Sequence, residues 1–255
     1  MALIPLIRRW LSPGGSGEAG PVILPVEVQA EAWRAAKRKM RWPISDEEFG
    51  RVGGPPALGE GDLAQGFEGV CLFYGFGDDG RGNADPVLSG RLAWDYALGR
   101  RRPRPWQSPH VEFGRPDFFR LRPGAPPRPK GFYFAKVRVG RRHAGTTVAR
   151  ARRSFGRSGG LPVTGWGPEG FQFICVTHTH FQWLMDERKA PFMALADYEV
   201  APHGFNDFFD APHLFSGGGV LGLGLGNLEQ AYRGLGIPTA VIVTTARQTG
   251  GREEA

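Results

Sequence analysis

The residues of this 255-residue chain that could do chemistry fall into two groups. The first is a dense run of cations. Residues 100–157 hold 17 Lys or Arg against only Glu112 and Asp117, a net charge of +15. The flanking parts are acidic, residues 1–99 at −3 and residues 158–255 at −5, so the overall +7 conceals one intensely basic insert. Charges this dense repel one another, and a polyanion relieves the repulsion while releasing its condensed counterions. Most are arginine, whose planar fork suits phosphate contact and stacking on bases. Aromatic residues are interleaved (Trp106, Phe113, Phe118, Phe119, Phe132, Tyr133, Phe134, Phe155), as stacking of unpaired bases requires. The candidate nucleic-acid-binding residues are Arg100, Arg101, Arg102, Arg104, Lys136, Arg138, Arg141, Arg142, Arg150, Arg152, Arg153 and Arg157.

The second group is Val176-Thr177-His178-Thr179-His180-Phe181. Two histidines at i and i+2 beyond a strand end share one face and so can chelate one metal ion. This string resembles the His-x-His start of two metallohydrolase families, the metallo-β-lactamase fold and the amidohydrolase barrels. The resemblance covers about six residues. Where the first family continues with Asp and His, this chain has Gln182 and Trp183, and only 75 residues follow His180, too few for the rest of a barrel of about 250 residues. Further oxygen and nitrogen ligands do follow, at Asp197, His203, Asp207, Asp210 and His213.

Other patterns fall short of their chemistry. The glycine run from Gly217 to Gly226 lacks the long following helix and the later acid of a dinucleotide fingerprint, and no Gly-Lys-Ser/Thr is present, so the run reads as tight turns and close backbone packing. Asp79, Asn83 and Asp85 fail the calcium-loop pattern, with Arg81 at a ligand position, and read as an Asp/Gly turn. Cys71 and Cys175 each lie in an apolar run and read as buried free thiols on strands. Neither Ser154 nor Ser216 sits in a nucleophile elbow.

The elements that must position these groups follow from composition and pattern. Glycine (39) and proline (22) are too frequent for a long-helix protein, while 41% hydrophobic residues are enough to build a core. Val28 to Met40 predicts a helix, and Ser45-Asp46-Glu47-Glu48 a capping box opening a second. Strands are expected at Phe67–Phe76, Phe132–Val139, Phe171–Val176, Phe192–Val200 and Thr239–Thr244, and helices at Ser89–Arg100, Phe181–Glu187 and Asn227–Arg233. The aromatic cluster Phe205–Phe215 reads as a loop packed on the core. Eight prolines between Arg100 and Lys130 make that stretch extended. On the strand that follows, Lys136 and Arg138 share one face.

The fold class is α+β, with a mixed or antiparallel sheet, a few short helices and long Gly/Pro-rich loops. The parts are a flexible arm (1–24), an N-terminal helical and strand part (25–99), the Arg/Pro segment (100–130), a C-terminal α+β part (131–245) and a tail (246–255). The function expected is non-enzymatic binding of DNA or RNA through residues 100–157, with no cofactor. With 6–10 phosphate contacts, affinity would fall about 10³–10⁵-fold between 50 and 200 mM salt. One alternative is a hydrolase or nuclease holding a divalent metal at His178 and His180; another is a module docking an acidic protein. No stretch approaches the roughly 18 apolar residues that cross a bilayer, so no membrane partner is expected, and the location expected is cytoplasmic.

Overall fold

A computed structural model describes residues 23–113, 118–139, 145–179, 193–201, 207–217, 220–231 and 236–243. Over these residues the chain is α+β. Helix α1 (Val26–Met40) buries Gln29, Trp33 and Ala36 and ends where Arg41 turns left-handed, at φ 56°. Helix α2 (Asp46–Gly50) opens with the expected capping box: Ser45 Oγ accepts from the Glu48 N–H at 3.1 Å, and Glu48 Oε2 accepts from the Ser45 N–H at 2.7 Å. After α3 (Glu60–Ala64) and strand β1 (Gly69–Gly75), helix α4 (Pro86–Arg100) starts three residues before its expected origin. The Asp85 carboxylate caps it by accepting from the Val87 and Leu88 N–H groups, and Pro86 takes the first position, where no N–H is needed.

The Arg/Pro segment is extended, with two short strands, β2 (Trp106–Gln107) and β3 (Phe119–Leu121). Strand β4 (Gly131–Arg138) follows, then α5 (Val148–Ser154), the hairpin β5 (Arg157–Ser158) and β6 (Leu161–Pro162), β7 (Thr164–Gly165), and α6 (Pro168–Gln172), which continues as a π-helical turn over Phe173–Thr177. The C-terminal part supplies β8 (Met193–Ala194), β9 (Tyr198–Val200), β10 (Asp210–Gly217), β11 (Val220–Asn227) and β12 (Thr239–Val243). One sheet is antiparallel, in the order β1-β4-β12-β7. The second runs β2-β11-β10-β9-β3, with β8 also paired to β10 and β2 parallel to β11. Both pack on one core: Trp33, Phe73 and Phe134 lie in the same cluster as Leu214 and Leu223.

Five expected elements are corrected. Phe171–Val176 is helix and π-turn rather than strand: Gly167-Pro168 opens a helix there, and burial on every side removes the polar alternation that would reveal its period. Cys175 therefore lies on that turn, while Cys71 lies on β1; both thiols are free and buried. From Val220 on, the glycine run is strand β11 rather than turns, with its leucines toward the core, while the close packing expected of its glycines holds at Gly222 and Gly224. The strand expected over Phe192–Val200 breaks into β8 and β9, because a turn at Ala196-Asp197 directs Asp197 inward. The stretch expected to start a helix at Asn227 instead ends β11 and turns at Leu228-Glu229. The aromatic loop expected over Phe205–Phe215 is, from Asp210 on, strand β10. The helix expected at Phe181–Glu187, most of the arm and the tail lie outside the described residues.

Candidate nucleic-acid interface

The structure divides the arginines of the basic segment into inward and outward sets. Arg128 is 1% exposed. Its guanidinium holds Glu169 at 2.8 and 3.1 Å and Asp197 at 2.8 Å, and donates to the Gly165 and Pro126 carbonyls. The acids are completed by other donors: Tyr133 Oη (2.8 Å) and the Gly167 N–H (2.9 Å) to Glu169, and Thr164 Oγ1, the Gly165 N–H and Arg122 Nε to Asp197. Burial opposes the charge on Arg128, but the pull of Glu169 and then Asp197 outweighs it and raises its pKa. A third acid, Glu199, takes Arg120 (3.1 Å) and Arg152 (2.9 Å), while Arg152 also reaches the Ala196 and Tyr198 carbonyls. The segment is thus clasped to acids at positions 169–199, the counterpart of the C-terminal negative excess.

Three more candidates face inward. Lys136 pairs with Asp62 at 2.6 Å, and Arg138 lies over the Phe67 ring at 4.2 Å and donates to Gln65. The two share a face of β4 as expected, but that face is covered. Arg101 donates to the Ile174 and Thr179 carbonyls, both at 2.9 Å. Together with Arg152, these side chains leave the expected polyanion surface. The outward set is Arg100, over the Tyr96 ring at 5.4 Å, with Arg102, Arg104, Arg150, Arg153 and Arg157, all exposed. Arg141 and Arg142 lie outside the described residues.

Four of the outward arginines, Arg102, Arg104, Arg150 and Arg153, lie on or just before the two elements that flank one face of the six-stranded sheet, β2 and α5. The inner face carries Leu214, Leu221 and Leu223. On the outer face, cross-strand pairing aligns Trp106 with Gly222 and Phe215, and the next row aligns Gly224, His213 and Ala194. A Cβ on Gly222 would stand 2.3 Å from Phe215 Cζ, and one on Gly224 2.7 Å from His213 Nε2, so both rings lie down on the backbone of these glycines. Ring centroids are 5.9 Å apart for Trp106–Phe215 and 5.7 Å for His213–Phe215. Trp106 is 51% exposed, and buried Pro105 separates it from Arg104, which is exposed as well. Helix α5 covers the other end of this face, packing Val148 and Ala151 on Ala194 and Ala211. Its exposed side presents Arg150 and Arg153. The alternation of Leu and Gly in residues 221–226 is the sequence signal that marks this face, leucines to one side and bare backbone to the other.

No family model, curated protein or solved structure matches the chain.

The histidine motif is placed differently from the arginines. His178 is buried; its Nε2 accepts from the Leu24 N–H at 3.1 Å, and its Nδ1 lies 2.7 Å from Thr177 Oγ1. The ring stacks on Phe173, with centroids 4.0 Å apart and planes at 15°. Burial pushes the imidazole pKa down to about 3. Both ring nitrogens thus have protein partners, and the ring holds the start of the described chain against the π-turn. His180 and His203 lie outside the described residues, and among the described residues no three His, Cys, Asp or Glu group to hold a metal. The Asp78–Asp85 loop is the expected turn: Asp79 Oδ1 accepts from the Arg81 and Asn83 N–H groups. A cleft of about 480 Å³ among Pro126, Pro127, Pro129 and Pro162 is lined by a single charged side chain, Lys130, which pairs with Asp78. Among the described residues no helix is long and apolar enough to cross a membrane.

Proposed function

We propose that this protein binds nucleic acid without catalysis, through phosphate contacts from the arginines that stay exposed after the fold has formed. The observation that carries the reading is that Arg102 and Arg104 at the β2 edge, and Arg150 and Arg153 on α5, border the same outer sheet face. Arginine suits this role because each fork binds phosphate without reading sequence. The reading includes a cytoplasmic location, which the two free thiols accommodate.

The inward set lowers the expected electrostatic reach. About four phosphate contacts give an affinity loss of about 50-fold for single strands and about 150-fold for duplex between 50 and 200 mM salt, well below the 10³–10⁵-fold expected of 6–10 contacts. Titration of labelled DNA and RNA across that salt range checks this. The combined substitution Arg102→Glu, Arg104→Glu, Arg150→Glu and Arg153→Glu abolishes binding if the reading holds. No binding at about 50 mM salt, or an affinity indifferent to salt, overturns it.

A further inference from the structure

The geometry points to single-stranded nucleic acid as the ligand class, with an unpaired base stacked on Trp106 beside the Phe215 ring. This rests on the reading above and adds what phosphate contacts alone cannot supply, a choice of strand state.

A half-exposed tryptophan at a sheet edge needs a reason, since among the described residues it is one of only three large hydrophobic side chains that stand well out from the surface, with Leu63 and Leu161. Unlike those two, Trp106 stands in a row with other rings. Phe215 is its cross-sheet neighbour, tilted at 56°, and His213 lies one row farther along. Gly222 and Gly224 let Phe215 and His213 lie flat, and substitution by any larger residue would lift them, so the shelf is held by backbone rather than by mobile side chains. Desolvation holds the His213 pKa at about 4, so the shelf itself is uncharged at neutral pH.

Charge complementarity names the occupant. The outer ring stands two residues from Arg104, which is exposed as well, so a base on Trp106 places its own phosphate within reach of that guanidinium. A duplex offers no free base face, because its bases are already stacked on one another. A neutral peptide or sugar would use the ring and leave the arginines without anions. Single strands satisfy both, and every base has a face to stack, so little sequence preference is expected.

The test compares oligo(dT) and oligo(U) with a duplex of equal length, by fluorescence anisotropy at about 50 mM salt. Wild-type protein prefers either single strand to the duplex. Trp106→Ala weakens single-strand binding about 5- to 150-fold and changes duplex binding by less than about twofold, while Trp106→Phe retains most of the affinity. Equal or tighter duplex binding by wild type overturns the inference while leaving phosphate-driven binding standing, and it needs no variant to fold. A folded Trp106→Ala protein with unchanged single-strand affinity overturns it equally. Failure to bind any nucleic acid removes both readings together.

Discussion

Arg128 carries its charge where water reaches neither it nor its partners, since Glu169 and Asp197 are both fully buried. Such a triad contributes little net stability when complete, because desolvation offsets most of the Coulomb gain, but it is costly to break. Arg128→Ala leaves two carboxylates inside the protein with one counter-charge, Arg122, reaching only Asp197. We expect a loss of about 3–5 kcal/mol in equilibrium unfolding. Arg128→Lys does not restore it, because an ammonium cannot span two carboxylates with a fixed fork. Arg104→Ala is the control, with a change within about 0.5 kcal/mol, as for other exposed positions. Local sequence does not separate these two residues. Arg102, Arg104, Arg122 and Arg128 each precede a proline, yet two point to solvent and two are held inside. What separates them is an acid 41, 69 or 75 residues farther along the chain, and spacing within the segment carries no information about that.

At the scale of elements, the open edge of β1 shows how side chains can stand in for a strand. β1 pairs only with β4, so the backbone groups of its other edge need partners. The Gln29 amide of α1 accepts from the Leu72 N–H and donates to the Val70 carbonyl, and Trp33 Nε1 donates to the Leu72 carbonyl. The Gln172 amide of α6 accepts from the Tyr74 N–H and donates to the Tyr74 carbonyl. Gln172→Leu keeps the volume but strands two buried backbone groups, and a destabilisation of about 2–4 kcal/mol is expected in urea unfolding. A change below about 0.5 kcal/mol would mean that water reaches this edge. The amphipathic helix α1, the capping box at Ser45 and the β-rich runs that became β1, β4 and β12 were legible in the sequence, because each has a local signal. Phe171–Val176 was not. A run buried on all sides has no period to read, and its buried polar member, Gln172, is the helix's contact with a strand. Strand β11 was hidden for the opposite reason: its glycines signal turns wherever the rings that lie on them are unseen.

At the scale of the whole molecule, one buried and one partly buried histidine make stability depend on pH. His178 and His213 have pKa values pushed down to about 3 and about 4 by burial, against 6.5 when unfolded. The unfolded chain therefore takes up protons that the folded chain refuses. Stability is present in full above about pH 6.5 and falls as pH drops, by up to about 1.4 kcal/mol per pH unit for each histidine, until the folded values are reached. Asp62, held low by its hydrogen bond from Lys136, adds a further loss in the same direction at more acidic pH. Thermal unfolding followed from pH 7 to pH 4.5 should show a falling Tm, and His178→Gln should flatten the slope. An unchanged slope in that variant would show that His178 takes up its proton without unfolding.

The Arg/Pro segment has a further consequence for the sheet it flanks. Both outermost strands of the six-stranded sheet come from it, β2 between Pro105 and Pro109 and β3 just ahead of Pro123. Short edge strands bounded by prolines and arginines offer an approaching chain few backbone donors and a repelling charge. The residues proposed to meet a polyanion at this surface therefore also blunt the edge of the sheet, where β2 covers the Leu-Gly strand at Gly222 and Leu223.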